Sequence, residues 1–302
     1  MRWSTLYFAG RGAWARARLQ ARRPADPAGL SIPPLETAPL RLNCVVFSRD
    51  RPMQLDACLR SIERNAPYEG LITVVYRATD DRFEAGYRAL AAGERVRLVR
   101  EGDFRSDVLA ALEPSVAATV FHTDDDVFFR APPGAPFLLP GVAAFSLRLG
   151  ENTTYCYPYG RPQTPPETGS DGPVIAWDWT RLAPDFGYPL ALNGHVMETR
   201  LVRRIVERAR FSNPNRLEDA LHIRRYLAPP LMLAFRESCV VSIPANVVTT
   251  THANRAAEDP ELSTAALNER FLAGERIDFD RMDFSAVDAA HCELPLVFTQ
   301  RL

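Results

Sequence analysis

The sequence contains no lysine, so each of its 36 lysine-or-arginine positions is an arginine. This absence excludes a Walker-type phosphate loop, a Schiff base and a catalytic lysine, because each of them needs a lysine side chain. A site that binds phosphate must then rely on arginine, on backbone N–H groups or on a metal ion.

The chain also lacks an excess of charge and any long apolar segment. Its formal net charge is −1, so we expect no nucleic-acid partner. No apolar run approaches the length of about 20 residues that a membrane-spanning helix needs. The amino-terminal segment has neither a continuous apolar core nor a small-residue cleavage site. We therefore expect a cytoplasmic location.

The five cysteines predict neither a disulfide framework nor a zinc site. They are odd in number and none of them forms a C-x-x-C pair, the spacing typical of metal and redox motifs. We interpret them as small buried apolar side chains in a reducing compartment. These residues are Cys44, Cys58, Cys156, Cys239 and Cys292.

Residues 1–40 are interpreted as a basic arm and linker. Six arginines and no acid precede Asp26, and Arg11 to Arg23 can form a basic helix. One alternative is peripheral contact with anionic lipid at the inner face of the membrane, with Trp3 and Trp14 among the apolar side chains at the interface. The other is a loosely ordered arm against the domain. The stretch Pro24 to Pro39 predicts an extended linker.

Residues 41–302 are predicted to form one α/β domain, with a first half at 41–130 and a second half at 131–302. Apolar strands alternate with amphipathic helices in the first half, which gives the order βαβαβαβ and implies a parallel sheet with right-handed crossovers. The second half predicts a mixed elaboration of the same sheet. Predicted strands of the first half are Leu42–Phe47, Leu71–Tyr76, Val96–Val99 and the run into Asp124; those of the second are Val142–Leu149, Val174–Trp179 and Val240–Pro244.

Three adjacent carboxylates, Asp124, Asp125 and Asp126, follow the fourth strand of the first half. Such neighbours repel one another unless a cation or hydrogen-bond donors offset their charge. A divalent ion bound by oxygen atoms satisfies this need, and a solvated acidic turn is the alternative. Arg49 and Asp80 end other strands of the same predicted sheet, where ligands of parallel sheets bind. This convergence favours a functional site.

Three stretches carry a resemblance to a known family: Val45–Pro52 with Leu55, Cys58, Leu59 and Ile62; the aspartate triplet; and Asn213–Asn215 with Glu218 and Asp219. Together they resemble the GT-A glycosyltransferases that use nucleotide-sugars, of the family-2 type. The resemblance covers about Arg41 to Val248. It implies a Rossmann-like, mostly parallel twisted sheet flanked by helices. It also implies transfer of a sugar from a nucleotide-diphosphate sugar, with UDP as the expected nucleotide, to a hydroxyl of a glycan, a lipid-linked molecule or another acceptor.

The resemblance also implies roles for individual residues. The triplet is similar to a DxD motif, in which Asp124 contacts the ribose and Asp126 binds Mn²⁺ or Mg²⁺, with His252 as a later metal ligand. Glu218, ahead of Asp219, is expected to deprotonate the acceptor in an inverting reaction; the alternative is a helix-terminal acid. Residues expected to hold the donor are Ser48, Arg49, Arg51, Asp80, Asp124 and Asp125; Asp124 and Asp126 are also the expected metal ligands.

A sugar-binding surface is predicted in the second half. Aromatic faces stack on pyranose rings, and strand alternation puts Trp177 on the face opposite to Asp178. Asn193, Gly194 and His195 could line the sugar pocket, because glycine permits close approach of the backbone. For the tryptophan, core packing is the alternative.

Other functions are consistent with part of this pattern. A nucleotidyltransferase would need a glycine-rich loop after the first strand, and Ser48–Pro52 contains no glycine. A haloacid-dehalogenase-like phosphatase also has a DxD motif after a strand, but normally after the first. A non-catalytic metal- or carbohydrate-binding protein is the alternative that is not an enzyme.

Overall fold

The computed structural model describes residues 15, 17–19, 21–167, 172–248 and 259–301. Its strands are β1 (Leu40–Arg49), β2 (Tyr68–Glu69), β3 (Ile72–Arg77), β4 (Val96–Arg100), β5 (Ala118–Thr123), β6 (Asp126–Phe128), β7 (Val142–Ser146), β8 (Tyr155–Cys156), β9 (Arg161–Pro162), β10 (Val174–Asp178), β11 (His195–Glu198), β12 (Leu231–Phe235), β13 (Val240–Ser242), β14 (Glu275–Ile277) and β15 (Phe298–Gln300). Its α-helices are α1 (Pro52–Asn65), α2 (Asp81–Arg88), α3 (Phe104–Ala111), α4 (Thr199–Val206), α5 (Pro214–Arg224) and α6 (Thr264–Leu272).

The main sheet has the strand order β10-β12-β7-β11-β5-β1-β3-β4, with β2 paired to the start of β1. Strands β4, β3, β1 and β5 are all parallel. Strand β11 is antiparallel to both of its neighbours, β5 and β7, and β10 is antiparallel to β12. The predicted fold class is confirmed: a mixed α/β protein with a mostly parallel sheet, parallel in the first half and mixed in the second.

The parallel half has a topological switch point between β1 and β5. From β1 the chain adds β3 and β4 on one side and then crosses to add β5 on the other side. Ligands of open α/β sheets bind in the crevice at the carboxyl ends of the strands where the order reverses. In this chain that crevice lies beside Ser48, Arg49 and the turn after Thr123.

Strand β1 is central because its side chains are apolar on both faces, as expected for a parallel strand that helices cover on both sides. Leu42 and the run from Cys44 to Phe47 are buried. Helix α1 begins with Pro52, whose fixed φ suits a first helical position. Its buried stripe packs on this sheet, and the helix ends where Ala66 takes an extended conformation before Pro67.

Two strands that the second half adds to the main sheet, β11 and β12, were not predicted. Strand β11 is only four residues long, and β12 is a continuous apolar run, Leu-Met-Leu-Ala-Phe, whose pattern does not distinguish a strand from a buried helix. Helix α5 is also longer than the predicted Leu217–Leu221. Because β11 lies between β5 and β7, the segment that precedes it reaches the carboxyl edge of β5.

Part of the segment before β1 packs on the domain. Arg22 donates a hydrogen bond of 2.8 Å to the carbonyl of Ala228, and Leu19 is buried in the core. Leu30 and Ile32 pack against the opposite face of the sheet. The predicted interfacial side chains, Trp3 and Trp14 among them, lie outside the described residues. Among the described residues, none of the helices is long and apolar enough to cross a membrane.

All five cysteines are free thiols, and four of them are buried. Burial raises the pKa of the Cys44 and Cys239 thiols to about 12, so both are uncharged at neutral pH.

Candidate active site

The aspartate triplet forms the turn that joins β5 to β6. Asp124 donates its backbone N–H to the carbonyl of Phe47 at 3.0 Å, which ties the turn to the end of β1. The backbone carbonyl of Asp125 accepts a hydrogen bond of 2.9 Å from the N–H of Ile243, just past β13. The turn therefore lies at the predicted crevice between β1 and β5, held from both sides.

Asp124 is buried and its carboxylate points toward the end of β1. Oδ2 accepts hydrogen bonds from the hydroxyl of Ser48 at 2.8 Å and from the backbone N–H of Arg49 at 3.2 Å. Oδ1 accepts a hydrogen bond of 3.0 Å from Arg51. Burial raises the pKa of Asp124 to about 6, although the charge of Arg51 opposes this shift.

Arg51 is the cation of the triplet. Its Nη1 lies 3.0 Å from Oδ1 of Asp124 and 3.5 Å from Oδ2 of Asp125. Its Nε donates to the side chain of Asn246 at 2.8 Å, and its Nη2 donates to the backbone carbonyl of the same residue. All three guanidinium nitrogens are engaged and the residue is buried. In this arrangement the guanidinium of Arg51 contacts Asp124 and Asn246 inside the protein, and its binding of the donor's phosphate or base stays a prediction.

Asp126 points into the protein and is 1% exposed. Oδ2 accepts from Nδ1 of His122 at 2.9 Å and from the backbone N–H of Thr123 at 3.3 Å. Oδ1 accepts from the hydroxyls of Ser242 at 2.5 Å and Thr123 at 3.3 Å, and from the side-chain amide of Asn193 at 3.2 Å. Burial acts to raise the pKa of Asp126, but the hydrogen bond from His122 and the other donors lower it below its ordinary value.

The predicted metal ligands Asp124 and Asp126 do not fit a divalent ion in this arrangement. All four of their carboxylate oxygens accept hydrogen bonds from protein donors, and Arg51 supplies the positive charge. Asp125 has the most accessible side chain of the three, at 16% exposure, and it accepts from the Thr123 hydroxyl at 2.6 Å. In the described part of the chain, no group of three His, Cys, Asp or Glu side chains is arranged to hold a metal. The predicted ligand His252 lies outside the described residues.

Arg49 has a solvent-exposed guanidinium at this edge of the sheet. Its side chain is 44% exposed, and its Nε lies 3.6 Å from a carboxylate oxygen of Asp50. Asp50 has a left-handed backbone, with φ of 54°, and accepts hydrogen bonds from the N–H and hydroxyl of Thr79. Asp80 is exposed and accepts from the backbone N–H groups of Arg82 and Phe83, so it caps α2. Among the predicted donor-binding residues outside the triplet, Arg49 therefore has a positively charged group that is accessible to solvent.

The predicted pocket residues Asn193 and Gly194 meet the triplet through the segment before β11. Asn193 donates to Asp126, as described above. Gly194 has a φ of 62°, a left-handed conformation that favours glycine, and its carbonyl accepts from the N–H of Leu147 at 2.8 Å. Their neighbour His195 is buried, and Nδ1 of its ring lies 3.1 Å from the carbonyl of Pro189.

The acidic pair on α5 is divided between two roles. Oε1 of Glu218 accepts a hydrogen bond of 3.4 Å from the backbone N–H of Leu192, next to Asn193. Asp219 instead pairs with Arg216 on its own helix, at 3.2 Å. Glu218 is therefore linked to the triplet through the Leu192–Asn193 segment. This geometry favours Glu218 over Asp219.

Trp177 and Asp178 do not lie beside the triplet, and their role in sugar binding stays a prediction. Trp177 is 2% exposed and donates its indole N–H to the carbonyl of Phe186 at 2.8 Å. Asp178 caps a short 3₁₀ helix and accepts from the backbone N–H of Ala25 at 2.9 Å. Because β10 runs antiparallel to β12, and β12 parallel to β7 and β5, the carboxyl end of β10 lies at the opposite edge of the sheet.

Sequence analysis missed three residues that complete the site: Ser242, Asn246 and Arg148. Ser242 and Asn246 have no motif that signals their contacts with the triplet, and both lie more than 100 residues from it. Arg148 carried a visible signal, because it is a charged residue within the apolar run Ala-Phe-Ser-Leu-Arg-Leu.

Comparison with known proteins places the chain far from characterised families. No protein-family model matches the sequence, and no curated protein matches it. Among solved structures, it is similar to the mannosyltransferase PcManGT from Pyrobaculum calidifontis, solved with GDP-Man and Mn²⁺, at 15% identity and a TM-score of 0.35 over 78% of this chain. The match covers 64% of that protein. A mycobacterial protein gives 16% identity and a TM-score of 0.35, over 87% of this chain and 76% of that one. Likenesses this distant carry no argument about function.

His195 gives a prediction for the pH dependence of stability. Burial, followed by the charge of Arg148, lowers the pKa of its imidazole to about 3 in the folded protein. The unfolded chain, with a histidine pKa of about 6.5, binds the proton first on acidification. Below that pH the free energy of unfolding therefore falls by about 1.4 kcal/mol per pH unit through this group. Urea unfolding measures the free energy of unfolding at pH 6 and at pH 5. The slope of this free energy against pH should be smaller by this amount in His195→Gln than in the wild type. Equal slopes would contradict the prediction.

Proposed function

We propose that the chain is a GT-A-type glycosyltransferase that moves a sugar from a nucleotide-diphosphate sugar to a hydroxyl acceptor, either a glycan or a lipid-linked molecule. One observation carries the proposal: the aspartate triplet sits at the switch point of the parallel sheet, with Arg49 open to solvent beside it. Glu218 is linked to the same edge from the second half of the chain. The resemblance of the motifs supports the same reaction.

The donor is placed at the carboxyl ends of β1 and β5. In this proposal Arg49 binds the diphosphate, since its guanidinium is exposed at that edge and no lysine exists to replace it. Asp125 is the accessible carboxylate of the triplet and is assigned to a hydroxyl of the nucleotide ribose or of the sugar. Asp124 holds the ends of β1 and β5 together through Ser48 and the backbone N–H of Arg49.

The transfer step needs a base for the acceptor. As the acceptor oxygen attacks the anomeric carbon, its proton passes to the carboxylate of Glu218. The bond between the anomeric carbon and the diphosphate oxygen breaks, and the nucleoside diphosphate leaves with that electron pair. The positive charge of Arg49 stabilises the diphosphate as its negative charge grows. This assignment describes inversion at the anomeric carbon.

A panel of nucleotides tests the function. Thermal shift and calorimetry with UDP, GDP, CDP and dTDP should give one diphosphate that binds with micromolar to millimolar affinity, and Arg49→Gln should weaken that binding. A matched control is Arg77→Gln, at the end of β3, which is also exposed and faces Glu101. Hydrolysis of the corresponding nucleotide-sugar separates an enzyme from a binding protein. If no diphosphate binds, the proposal is wrong.

Arg51 gives a prediction about divalent ions. Because its guanidinium already pairs with Asp124 and lies 3.5 Å from Asp125, we expect nucleotide binding by the wild-type protein to persist in EDTA. In Arg51→Gln the carboxylates lose this cation, and Mn²⁺ should then bind and stabilise the variant by about 2.7 kcal/mol at 100 times its dissociation constant. Electron paramagnetic resonance of Mn²⁺ measures the gain directly.

The control for this measurement is Arg49→Gln, which removes an exposed arginine from the same edge and should not create a Mn²⁺ site. If the wild-type protein loses nucleotide binding in EDTA and regains it with Mn²⁺, the ion acts in donor binding and Arg51 does not replace it. The function itself would stand in that case.

A further inference from the structure

Arg148 is a buried guanidinium that has no carboxylate partner among the residues that the structure describes. It lies two residues after the end of β7 and is 6% exposed. In the same part of the chain its buried Nε meets no acceptor, and its Nη2 has a single contact, 3.3 Å from Nδ1 of His291. The other buried arginine of this region, Arg51, makes two ion pairs. An arginine stays charged when buried, so Arg148 brings an uncompensated positive charge into the fold.

In addition to burial, the charge of Arg148 lowers the pKa values of two histidines, His195 and His291. Burial, followed by the charge of Arg148, lowers the pKa of His195 and of His291 to about 3. Asp126 acts on both histidines in the opposite direction, but its effect is smaller than that of Arg148. The carboxylate of Asp126 also already accepts five hydrogen bonds. The positive charge of Arg148 therefore dominates at both imidazoles.

A ring nitrogen of His195 is a second buried polar atom without a hydrogen-bond partner among the described residues, in addition to Nε of Arg148. Its Nδ1 lies 3.1 Å from the carbonyl oxygen of Pro189, which can only accept a hydrogen bond, so Nδ1 carries the proton. Its Nε2 is then a bare acceptor, buried and without a partner within the described ranges of the chain. Unpaired buried groups of this kind are rare and costly, and two of them, on His195 and on the arginine that packs beside Gly194, indicate a ligand that supplies the missing partners.

The position of Arg148 assigns this ligand to the acceptor side. Arg148 packs beside Gly194, where a Cβ added to the glycine would lie 3.7 Å from the Cβ of the arginine. Its charge also acts on the hydroxyl of Tyr188, the same group that Glu218 influences. Arg148 and Glu218 thus both act on Tyr188, whereas Arg51 and the backbone of Arg49 contact the triplet from the end of β1.

We propose that Arg148 binds an oxyanion, a carboxylate or a phosphate, that belongs to the acceptor, and that Nε2 of His195 accepts a hydrogen bond from a hydroxyl of the same molecule. This inference rests on the proposed function and narrows the acceptor to an anionic sugar or a phosphorylated one. The ion pair formed on binding compensates the buried positive charge of Arg148.

Binding of small probes tests the site. Glucuronate supplies a carboxylate and glucose 6-phosphate a phosphate, and neutral glucose is the matched control ligand. Calorimetry or ligand-observed NMR should show that at least one anionic probe binds the wild-type protein and that glucose binds more weakly. Arg148→Gln should weaken binding of that probe by about 10- to 100-fold, the weight of a charge-assisted hydrogen bond. Whichever probe binds more tightly identifies the oxyanion.

A second measurement does not depend on the probe. Without ligand, Arg148→Gln should raise the melting temperature by a few degrees, because it removes a buried charge that lacks a counter-ion. The control is Arg203→Gln: Arg203 donates to the carbonyls of Leu109 and Leu112 and pairs with Glu207, so its loss should lower the melting temperature. A destabilised Arg148→Gln protein would contradict the claim that the charge is uncompensated.

The outcomes separate this inference from the proposed function. If the nucleoside diphosphate binds the wild type and Arg148→Gln equally, while the anionic probe loses affinity, both stand. If Arg148→Gln loses affinity for the diphosphate instead, the arginine binds the donor and the acceptor assignment is wrong. If the probes bind both proteins equally, or bind neither, the site is overturned while nucleotide binding still supports the function. If no diphosphate binds at all, the function fails whatever the probes show.

Discussion

Replacing Asp126 with alanine should lower the free energy of unfolding by about 3–5 kcal/mol, because several buried donors lose their acceptor at about 1–3 kcal/mol each. The carboxylate is 1% exposed and accepts from five donors. Its removal leaves the imidazole of His122, the amide of Asn193 and the hydroxyl of Ser242 without their acceptor, and each buried donor left unpaired costs free energy. Urea unfolding at pH 7 measures the difference.

Asp125→Ala is the matched control, since it removes the neighbouring carboxylate from the same turn. That side chain is 16% exposed, and within the described ranges its carboxylate contacts only Thr123 and Arg51, so we expect a loss of about 1 kcal/mol. If Asp126→Ala is no less stable than Asp125→Ala, the carboxylate of Asp126 does not hold β5, β11 and β13 together. Stability that depends on Mn²⁺ in the wild type and not in Asp126→Ala would restore its predicted role as a metal ligand.

Glu218→Gln should reduce the turnover of the nucleotide-sugar and acceptor by about 100- to 10,000-fold, the usual contribution of a positioned general base. Glutamine keeps the size of the side chain and can still accept a hydrogen bond from the N–H of Leu192, so the fold around α5 should persist. The dissociation constant of the nucleoside diphosphate should not change, because the proposed donor site lies beside β1. Steady-state kinetics and calorimetry on the same preparation separate these two effects.

Asp219→Asn is the control for the base. Its carboxylate pairs with Arg216 on the same helix, so the variant should keep turnover within about 3-fold of the wild type. Equal losses in the two variants would show that the helix, and not the Glu218 carboxylate, is what the reaction needs. A large loss in Asp219→Asn alone would exchange the two roles.

The location of the site could be predicted from the sequence because it depends on local patterns. Alternating strands and helices gave a parallel sheet, and the rule that such sheets bind ligands at their carboxyl ends then selected Asp124, Arg49 and their neighbours. Local patterns could not predict where Trp177 lies relative to the site. That prediction needed the direction of β10 in the sheet, and strand direction depends on pairings with β12 and β7 that lie far along the chain.

The internal contacts of the site could not be predicted. The sequence shows that three adjacent carboxylates need compensation, and a free ion and an arginine satisfy that need equally well. Only the folded chain shows that Asn246, 195 residues away, fixes Arg51 in front of Asp124. The inward direction of Asp126 depends in the same way on Ser242 and Asn193, which arrive from strands that pair late in the topology.

The positive charge of Arg51 does not depend on the concentration of an ion in solution. A free ion occupies its site according to its level in the surrounding solution, whereas a side chain of the same protein has an effective concentration that the fold sets. The charge balance of Asp124 and Asp125 is therefore constant across compartments that differ in available manganese or magnesium. A guanidinium does not lose its proton at physiological pH, so the positive charge of Arg51 is constant there as well.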